Sequence, residues 1–282
     1  MDVFQKCFDF KDAETVRGLG LYTYFRTIGS GQDPVVTMDG KQVIMLGSNN
    51  YLGLTNNDEI KNAAAEALAA YGTGTAGSRF LNGTLDIHVE LEEKLAEFMN
   101  REAALTFSTG FQVNLGVISS LIDRNDVVIL DNLDHACILD GARLSYGRVL
   151  KYQHNDMESL EERLRSVAPD KGSMIVVDGV FSMEGDLADL PRIVELKNQF
   201  GARLMVDDAH GIGVMGEHGR GTAEHFGLEG DADLVMGTFS KSLAAVGGFV
   251  VGDRSVIEWI KHHARSLMFS CLLYTSDAAD DY

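Results

Sequence analysis

Seven short β-branched or apolar runs recur along the chain, at 104–107, 127–130, 148–152, 174–177, 203–206, 234–238 and 248–251. Helical periodicity fills most of the gaps, at 111–123, 133–146, 157–167 and 190–200. This alternation predicts an α/β fold, a mainly parallel seven-stranded sheet with helices on both faces. One connection breaks the pattern. About seven residues separate Phe239 from Gly247, fewer than the ~10–12 of a parallel crossover, so the strand at 248–251 is expected to run antiparallel. Upstream, Thr84 is placed to cap a helix with His88, Leu91, Leu95 and Phe98 on one face and Glu92, Glu93 and Glu97 turned outward. Residues 1–45 read as an arm of one helix and a strand or hairpin around Asp39-Gly40, too small for a core of its own and expected to pack on a partner surface. With 282 residues, 45% of them hydrophobic, the rest suffices for one large domain at 46–270.

Composition removes several function classes. No run approaches the ~18 apolar residues of a membrane span, and the acidic start lacks the basic and apolar regions of a signal peptide, so a cytoplasmic protein is expected. A formal charge of −18 without a basic cluster disfavours nucleic acid as a partner. Cys7, Cys137 and Cys271 are far apart and form no CxxC, and no HExxH occurs, so no metal site is expected. Adjacent His262 and His263 point in different directions on a helix and read as a solvated surface. Cys137 lies two residues from His135, a helical spacing that turns the two side chains apart, so a Cys-His nucleophile is not expected. Gly211-Ile212-Gly213-Val214-Met215-Gly216 is a formal GxGxxG, but the residues after it cannot open the helix that would receive a pyrophosphate.

In a parallel α/β sheet, ligands sit beyond the carboxyl ends of the strands. Polar residues just after strands are therefore the candidates. Ser108-Thr109-Gly110-Phe111 opens a helix whose free N–H groups and dipole make a phosphate cup. Asp134-His135 follows the strand ending at Leu130, Asp207-Asp208-Ala209-His210 follows the strand at 203–206, and Phe239-Ser240-Lys241 follows that at 234–238. Singly, each has a plain structural reading as a turn glycine, a solvated lysine or a core histidine. The carboxylates at 207 and 208 repel each other, and one of them needs a positive partner. Together the groups meet the needs of pyridoxal 5'-phosphate (PLP): a lysine for an imine, an acid at the pyridine nitrogen, a flat group over the ring, a donor to the phenolate and a phosphate cup.

Long motifs extend this set: SNNYLG at 48–53, GTAGSR at 74–79, DGVFSMEGD at 178–186, VDDAH at 206–210 and GTFSK at 237–241. From about residue 17 to 270 the chain resembles the α-oxoamine synthases. Within them, FLNGTLDIH at 80–88 and STGFQVN at 108–114 look most like the bacterial serine palmitoyltransferase subgroup. The resemblance implies a fold-type-I PLP-dependent transferase that joins an amino acid to an acyl-CoA, with serine and palmitoyl-CoA the leading pair. Glycine with acetyl-CoA, or alanine with a pimeloyl thioester as in 8-amino-7-oxononanoate synthesis, are the rivals. It implies that Lys241 carries the cofactor and then acts as base, and that Asp207 binds the ring nitrogen. By the same resemblance His135 stacks on the ring, while His210 and Ser182 hold the phenolate oxygen. The phosphate falls to Gly110 and Phe111 amides with Thr238 and Ser240 hydroxyls, and Asn49 meets cofactor or substrate. A homodimer with the site at its interface is implied too. A non-catalytic partner subunit is a further reading, which the presence of Lys241, Asp207 and His135 opposes. Family members continue past SLMFS at 266–270 into a further domain of roughly a hundred residues. Residues 271–282 are expected to be a non-native tail standing in its place, one that resembles translated sequencing adapter, which opens the reading of an inactive fragment.

Overall fold

A computed structural model of the chain describes residues 2–270. The expected tail at 271–282 lies outside the described residues. Two compact units divide at Gly47.

The first unit contains α1 (Gln5–Phe8), α2 (Asp12–Gly18), β1 (Val35–Met38) and β2 (Lys41–Ile44). β1 and β2 pair antiparallel around Asp39-Gly40, where φ values of 50° and 74° give the left-handed two-residue turn that Asp-Gly favours. Two helices stand where one was expected. Neither buries a residue, so nothing in the unit welds them into one.

In the second unit, in chain order, lie α3 (Asp58–Tyr71), α4 (Asp86–Phe98), β3 (Ala103–Phe107), α5 (Gly110–Leu121), β4 (Asp126–Asp131), α6 (Ala136–Leu144), β5 (Arg148–Tyr152) and α7 (Met157–Arg165). After these come β6 (Gly172–Asp178), β7 (Val180–Phe181), β8 (Asp186–Leu187), α8 (Leu190–Phe200), β9 (Arg203–Asp207), α9 (Thr222–His225), β10 (Leu234–Thr238), β11 (Gly248–Gly252), α10 (Arg254–His263) and α11 (Arg265–Met268). A seven-stranded sheet has the order β3-β11-β10-β9-β6-β4-β5. Only β11 opposes its neighbours, pairing antiparallel with both β10 and β3, as the short connection requires.

Alternate residues along each strand enter two different cores. Val127, Ile129, Ile175, Val177, Leu204 and Val206 pack with residues of α4, α7 and α8. Their neighbours Val128, Leu130, Met174, Val176 and Met205 pack with α5, α6 and α10. A sheet covered on both faces needs apolar side chains at every position, which is why the strands read as unbroken apolar runs.

Two expectations about α4 need correction. Thr84 does not cap it; its hydroxyl donates to the Arg79 carbonyl at 2.7 Å. The buried positions are His88, Leu91, Leu95 and Ala96, with Phe98 exposed. Nor does Glu92 face solvent. Its carboxylate pairs with buried Arg79 and accepts the Thr106 N–H at 2.8 Å, tying α4 to β3. Removing one partner leaves the other as an uncompensated buried charge. Arg79→Met is therefore expected to cost about 3–5 kcal/mol of stability, read from urea unfolding, and a loss under about 1 kcal/mol would show the pair to be dispensable.

Candidate active site

The carboxyl ends of β3, β6, β9 and β10 converge on a cavity of about 320 Å³. Of the residues singled out from sequence, Gly110, Phe111, His135, Ser182, Asp207, His210, Thr238, Ser240 and Lys241 all line it. Asn49 does not. It is exposed, and its Oδ1 lies 3.5 Å from the Tyr51 hydroxyl, which in turn reaches His210.

At one end α5 begins. Thr109 caps it by accepting the Gln112 N–H, so the first-turn N–H groups of Gly110 and Phe111 have no partner within the helix. Close approach demands glycine here: a Cβ on Gly248 would fall 2.7 Å from the Gly110 Cα, and one on Gly110 would fall 2.9 Å from the Thr238 Oγ1. The Thr238 hydroxyl donates to the Gly247 carbonyl at 3.0 Å and lies 2.8 Å from the Ser240 Oγ. This end is a cluster of N–H and O–H donors without a carboxylate, suited to a phosphate.

At the other end sits Asp207, 4% exposed. Its oxygens accept from the Asn114 amide at 2.6 Å and the Ala209 N–H at 3.1 Å. Asp208 turns the opposite way, fully buried, and takes the Thr222 N–H at 2.6 Å and hydroxyl at 3.0 Å. The expected repulsion is thus relieved by opposed side chains. Burial, with Asp207 adding to it, nevertheless pushes the Asp208 carboxyl to about 7 against the pull of Thr222. A carboxyl raised above its unfolded value of 3.8 contributes fully to stability below that value and loses the contribution as pH rises to about 7. Asp208→Asn has no such loss. Its melting temperature is expected to gain on that of the parent chain between about pH 4 and pH 7, and parallel curves would contradict the assignment.

Burial also lowers the Lys241 amine below its ordinary value, with Asp207 and Asp178 opposing. A lowered amine is more often neutral and therefore nucleophilic. His210 is pushed to about 4 by burial and by the charges of Lys241 and His135. Its Nδ1 lies 2.6 Å from the Tyr51 hydroxyl; with that hydroxyl as donor, a neutral ring carries its proton on Nε2.

Ser182 follows a two-residue strand. β7 and β8 pair antiparallel, and the hairpin is held by Asn155, whose amide donates to the Leu187 carbonyl at 2.8 Å and whose Oδ1 accepts the Asp189 N–H at 3.0 Å. His154 bridges Asp131 and Asp186 at 3.0 and 3.1 Å.

Sequence reading erred at His135. The residue is the N-cap of α6 rather than part of the helix, and its Nδ1 turns back to accept the Cys137 N–H at 3.2 Å. The Cys137 Sγ then lies 2.8 Å from that nitrogen. Helical spacing does not apply across a cap, so the side chains expected to diverge meet. Sequence also left four site residues without a role: Tyr51, Asn114, Cys137 and Asp178. Tyr51, Asn114 and Asp178 sit inside motifs quoted above, but only the fold shows where they reach. Asp178 accepts the His135 N–H at 2.8 Å, and burial, then Asp207, pushes its carboxyl to about 8.

A larger hollow of about 660 Å³ surrounds Glu224, whose carboxylate already takes the N–H groups of His218 and Arg220. It contains none of the predicted residues. Among the described residues no His, Cys, Asp and Glu cluster could hold a metal, and no helix is long and apolar enough to cross a membrane.

The family model for aminotransferase class I and II matches residues 41–279. A serine palmitoyltransferase of Sphingobacterium spiritivorum is 56% identical over 96% of this chain and 68% of its own length. An 8-amino-7-oxononanoate synthase of Thermoanaerobacter pseudethanolicus is 48% identical over 92% of this chain and 66% of its own. Among solved structures, a serine palmitoyltransferase from S. paucimobilis with a bound PLP–myriocin aldimine superposes with a TM-score of 0.95 at 37% identity, covering 99% of this chain and 73% of that one. The chain spans from 62% to 68% of the length of the curated serine palmitoyltransferases it matches. The cavity suits the cofactor named for the solved relative: a buried acid at one end, a nucleophilic amine beside it and a donor cup at the other end. Asp207 is a buried carboxylate in this cavity, with Lys241 in the same lining, and a protonated ring nitrogen would give it a second cationic partner. The chain belongs to the PLP-dependent class I and II aminotransferase family, in its α-oxoamine synthase branch.

Proposed function

We propose that the chain carries, at 46–270, the cofactor-binding unit of an enzyme that condenses L-serine with palmitoyl-CoA. The products are 3-oxosphinganine, CO₂ and free CoA, the first step of sphingolipid synthesis. Relatives named serine palmitoyltransferase at 51% to 57% identity support the substrate pair. The observation that carries the chemistry is Lys241 and Asp207 facing one cavity whose far end is the open first turn of α5.

Bound there, PLP would supply an electron sink for negative charge at the amino acid's Cα. Every other part falls to this chain. The Lys241 Nζ takes the proton from Cα, a role suited to an amine lowered by burial. The Asp207 carboxylate holds the proton at the ring nitrogen. His135 would stack on the ring, and His210 with the Ser182 hydroxyl would hold the phenolate oxygen. Gly110 and Phe111 N–H groups, with the Thr238 and Ser240 hydroxyls, bind the phosphate. Asn49, beyond the cavity, meets the substrate through the Tyr51 side.

The same reading makes the enzyme a homodimer with the site at the subunit interface. Phe111 and Val246, lining residues that are 42% and 44% exposed, support a second surface over the cavity mouth. It also places the enzyme in the cytoplasm, where thiols such as Cys137 stay reduced. CoA release measured with serine and palmitoyl-CoA, glycine and acetyl-CoA, and alanine and a pimeloyl thioester tests the assignment. The first pair is expected to show the highest kcat/KM. Preference for the third would replace it with the activity named for the 48%-identical relatives.

A further inference from the structure

We propose that Asn114 and Cys137 are positioning residues that join Asp207 to His135 in one hydrogen-bonded unit. On the cofactor reading above, the acid at the ring nitrogen and the imidazole over the ring are then set by the same two helices.

The tie begins with helix packing. A Cβ on Gly141 would come within 2.7 Å of the Asn114 carbonyl oxygen. Gly141 lies one turn beyond Cys137 on the same face of α6. Its bare Cα lets α6 rest on α5 at the level of Asn114, bringing Cys137 within reach.

Asn114 is fully buried. Its Nδ2 donates to the Asp207 Oδ2 at 2.6 Å and to the Cys137 Sγ at 2.9 Å. The reverse amide orientation would set two acceptors 2.6 Å apart, so the NH₂ group must face the carboxylate. Both amide protons are then engaged. The one proton left between the Cys137 Sγ and the His135 Nδ1, 2.8 Å apart, is the thiol's own. The thiol donates to Nδ1, as does the Cys137 N–H at 3.2 Å. His135 therefore keeps its ring proton on Nε2. Burial pushes the Cys137 thiol up to about 12, so it does not lose that proton under ordinary conditions.

Two features set this arrangement apart from ordinary core packing. The Asn114 Oδ1 is buried without a hydrogen-bond partner among the described residues, which costs stability that a leucine would not. His135 is itself exposed, and beyond Cys137 its described hydrogen-bond anchors are main-chain ones, its N–H to Asp178 among them. Without the Cys137 thiol, the ring keeps only the residue-137 N–H, at 3.2 Å, as a described anchor.

The ¹⁵N resonance of the His135 Nδ1, assigned by its loss in His135→Gln, reads the tie in the chain without cofactor. Cys137→Ala is expected to shift it, and Cys137→Ser to restore it. Asn114→Leu should shift it as well, although Asn114 does not touch the imidazole. Circular dichroism checks the fold of each variant. If Asn114→Leu does not fold, Asn114→Ser, too short to reach both partners, takes its place. A folded Asn114 variant with an unchanged His135 resonance overturns the proposal. In PLP titrations, Asn114→Leu and Cys137→Ala are each expected to weaken binding about tenfold. The double variant should lose no more than the weaker-binding single, and losses that multiply would overturn the proposal. A parent chain that takes up no PLP overturns the cofactor reading instead, and the His135 resonance still decides the tie.

Discussion

Lys241→Ala is expected to abolish covalent capture of PLP and to lower condensation by more than about 10³-fold, with the fold unchanged. The turn holding Lys241 is fixed by its main chain, through the Ala244 N–H to the Lys241 carbonyl at 3.1 Å. Among the described residues no hydrogen bond or ion pair engages the amine, so truncation removes no structural contact. It does remove the group whose pKa burial lowers against the pull of Asp207 and Asp178. Borohydride treatment followed by mass analysis should find the cofactor on the peptide containing residue 241 in the parent and on no peptide in the variant. Equal labelling in both would move the attachment to another lysine and remove the basis of the assigned reaction. Complete absence in both would favour the inactive-fragment reading.

How much of this was legible in the sequence varied with the physics behind each signal. Strand positions were readable because a sheet covered on both faces leaves continuous apolar runs, and Val127 to Leu130 go alternately into two cores. The direction of β11 followed from chain length alone, since a connection of that size cannot cross back over a sheet. The β7–β8 hairpin was not readable: two-residue strands carry no periodicity, and Ser182 was found by motif only. α3 was missed as well: no residue of it is fully buried, and its half-buried face at Ile60, Ala63, Ala64 and Ala67 is mostly alanine, a weak apolar signal. Glu92 was misread because helical spacing marks a face as outward without revealing that Arg79 from another segment lies against it. At His135 the error was local. Taking the helix to begin at 133 rather than 136 reversed the predicted relation to Cys137, and with it hid the contact between α5, α6 and Asp207. Boundary residues are where periodicity says least, and here the boundary is part of the site.

Asp207→Asn should produce a loss comparable to that of Lys241→Ala, for a different reason. The change is isosteric, so packing at this 4%-exposed position survives. Hydrogen bonding does not. Both oxygens accept N–H groups, from Asn114 at 2.6 Å and Ala209 at 3.1 Å, and an amide must turn its NH₂ toward one of those donors. More consequential is the lost charge. A neutral amide cannot hold a proton at the ring nitrogen, and an unprotonated ring is a poor sink for negative charge at Cα, so turnover is expected to fall about 10³-fold. The substitution also removes the carboxylate that raises the Lys241 amine. Its pKa should drop further, and the pH at which PLP attachment is half complete should move to lower values in Asp207→Asn than in the parent. That acid shift distinguishes loss of charge from distortion of the pocket: Asp207→Glu, which keeps the charge but displaces it, should lose turnover without it. If Asp207→Asn retains turnover within about tenfold of the parent, the countercharge for the ring must come from Asp178 instead, and the assignment of Asp207 fails.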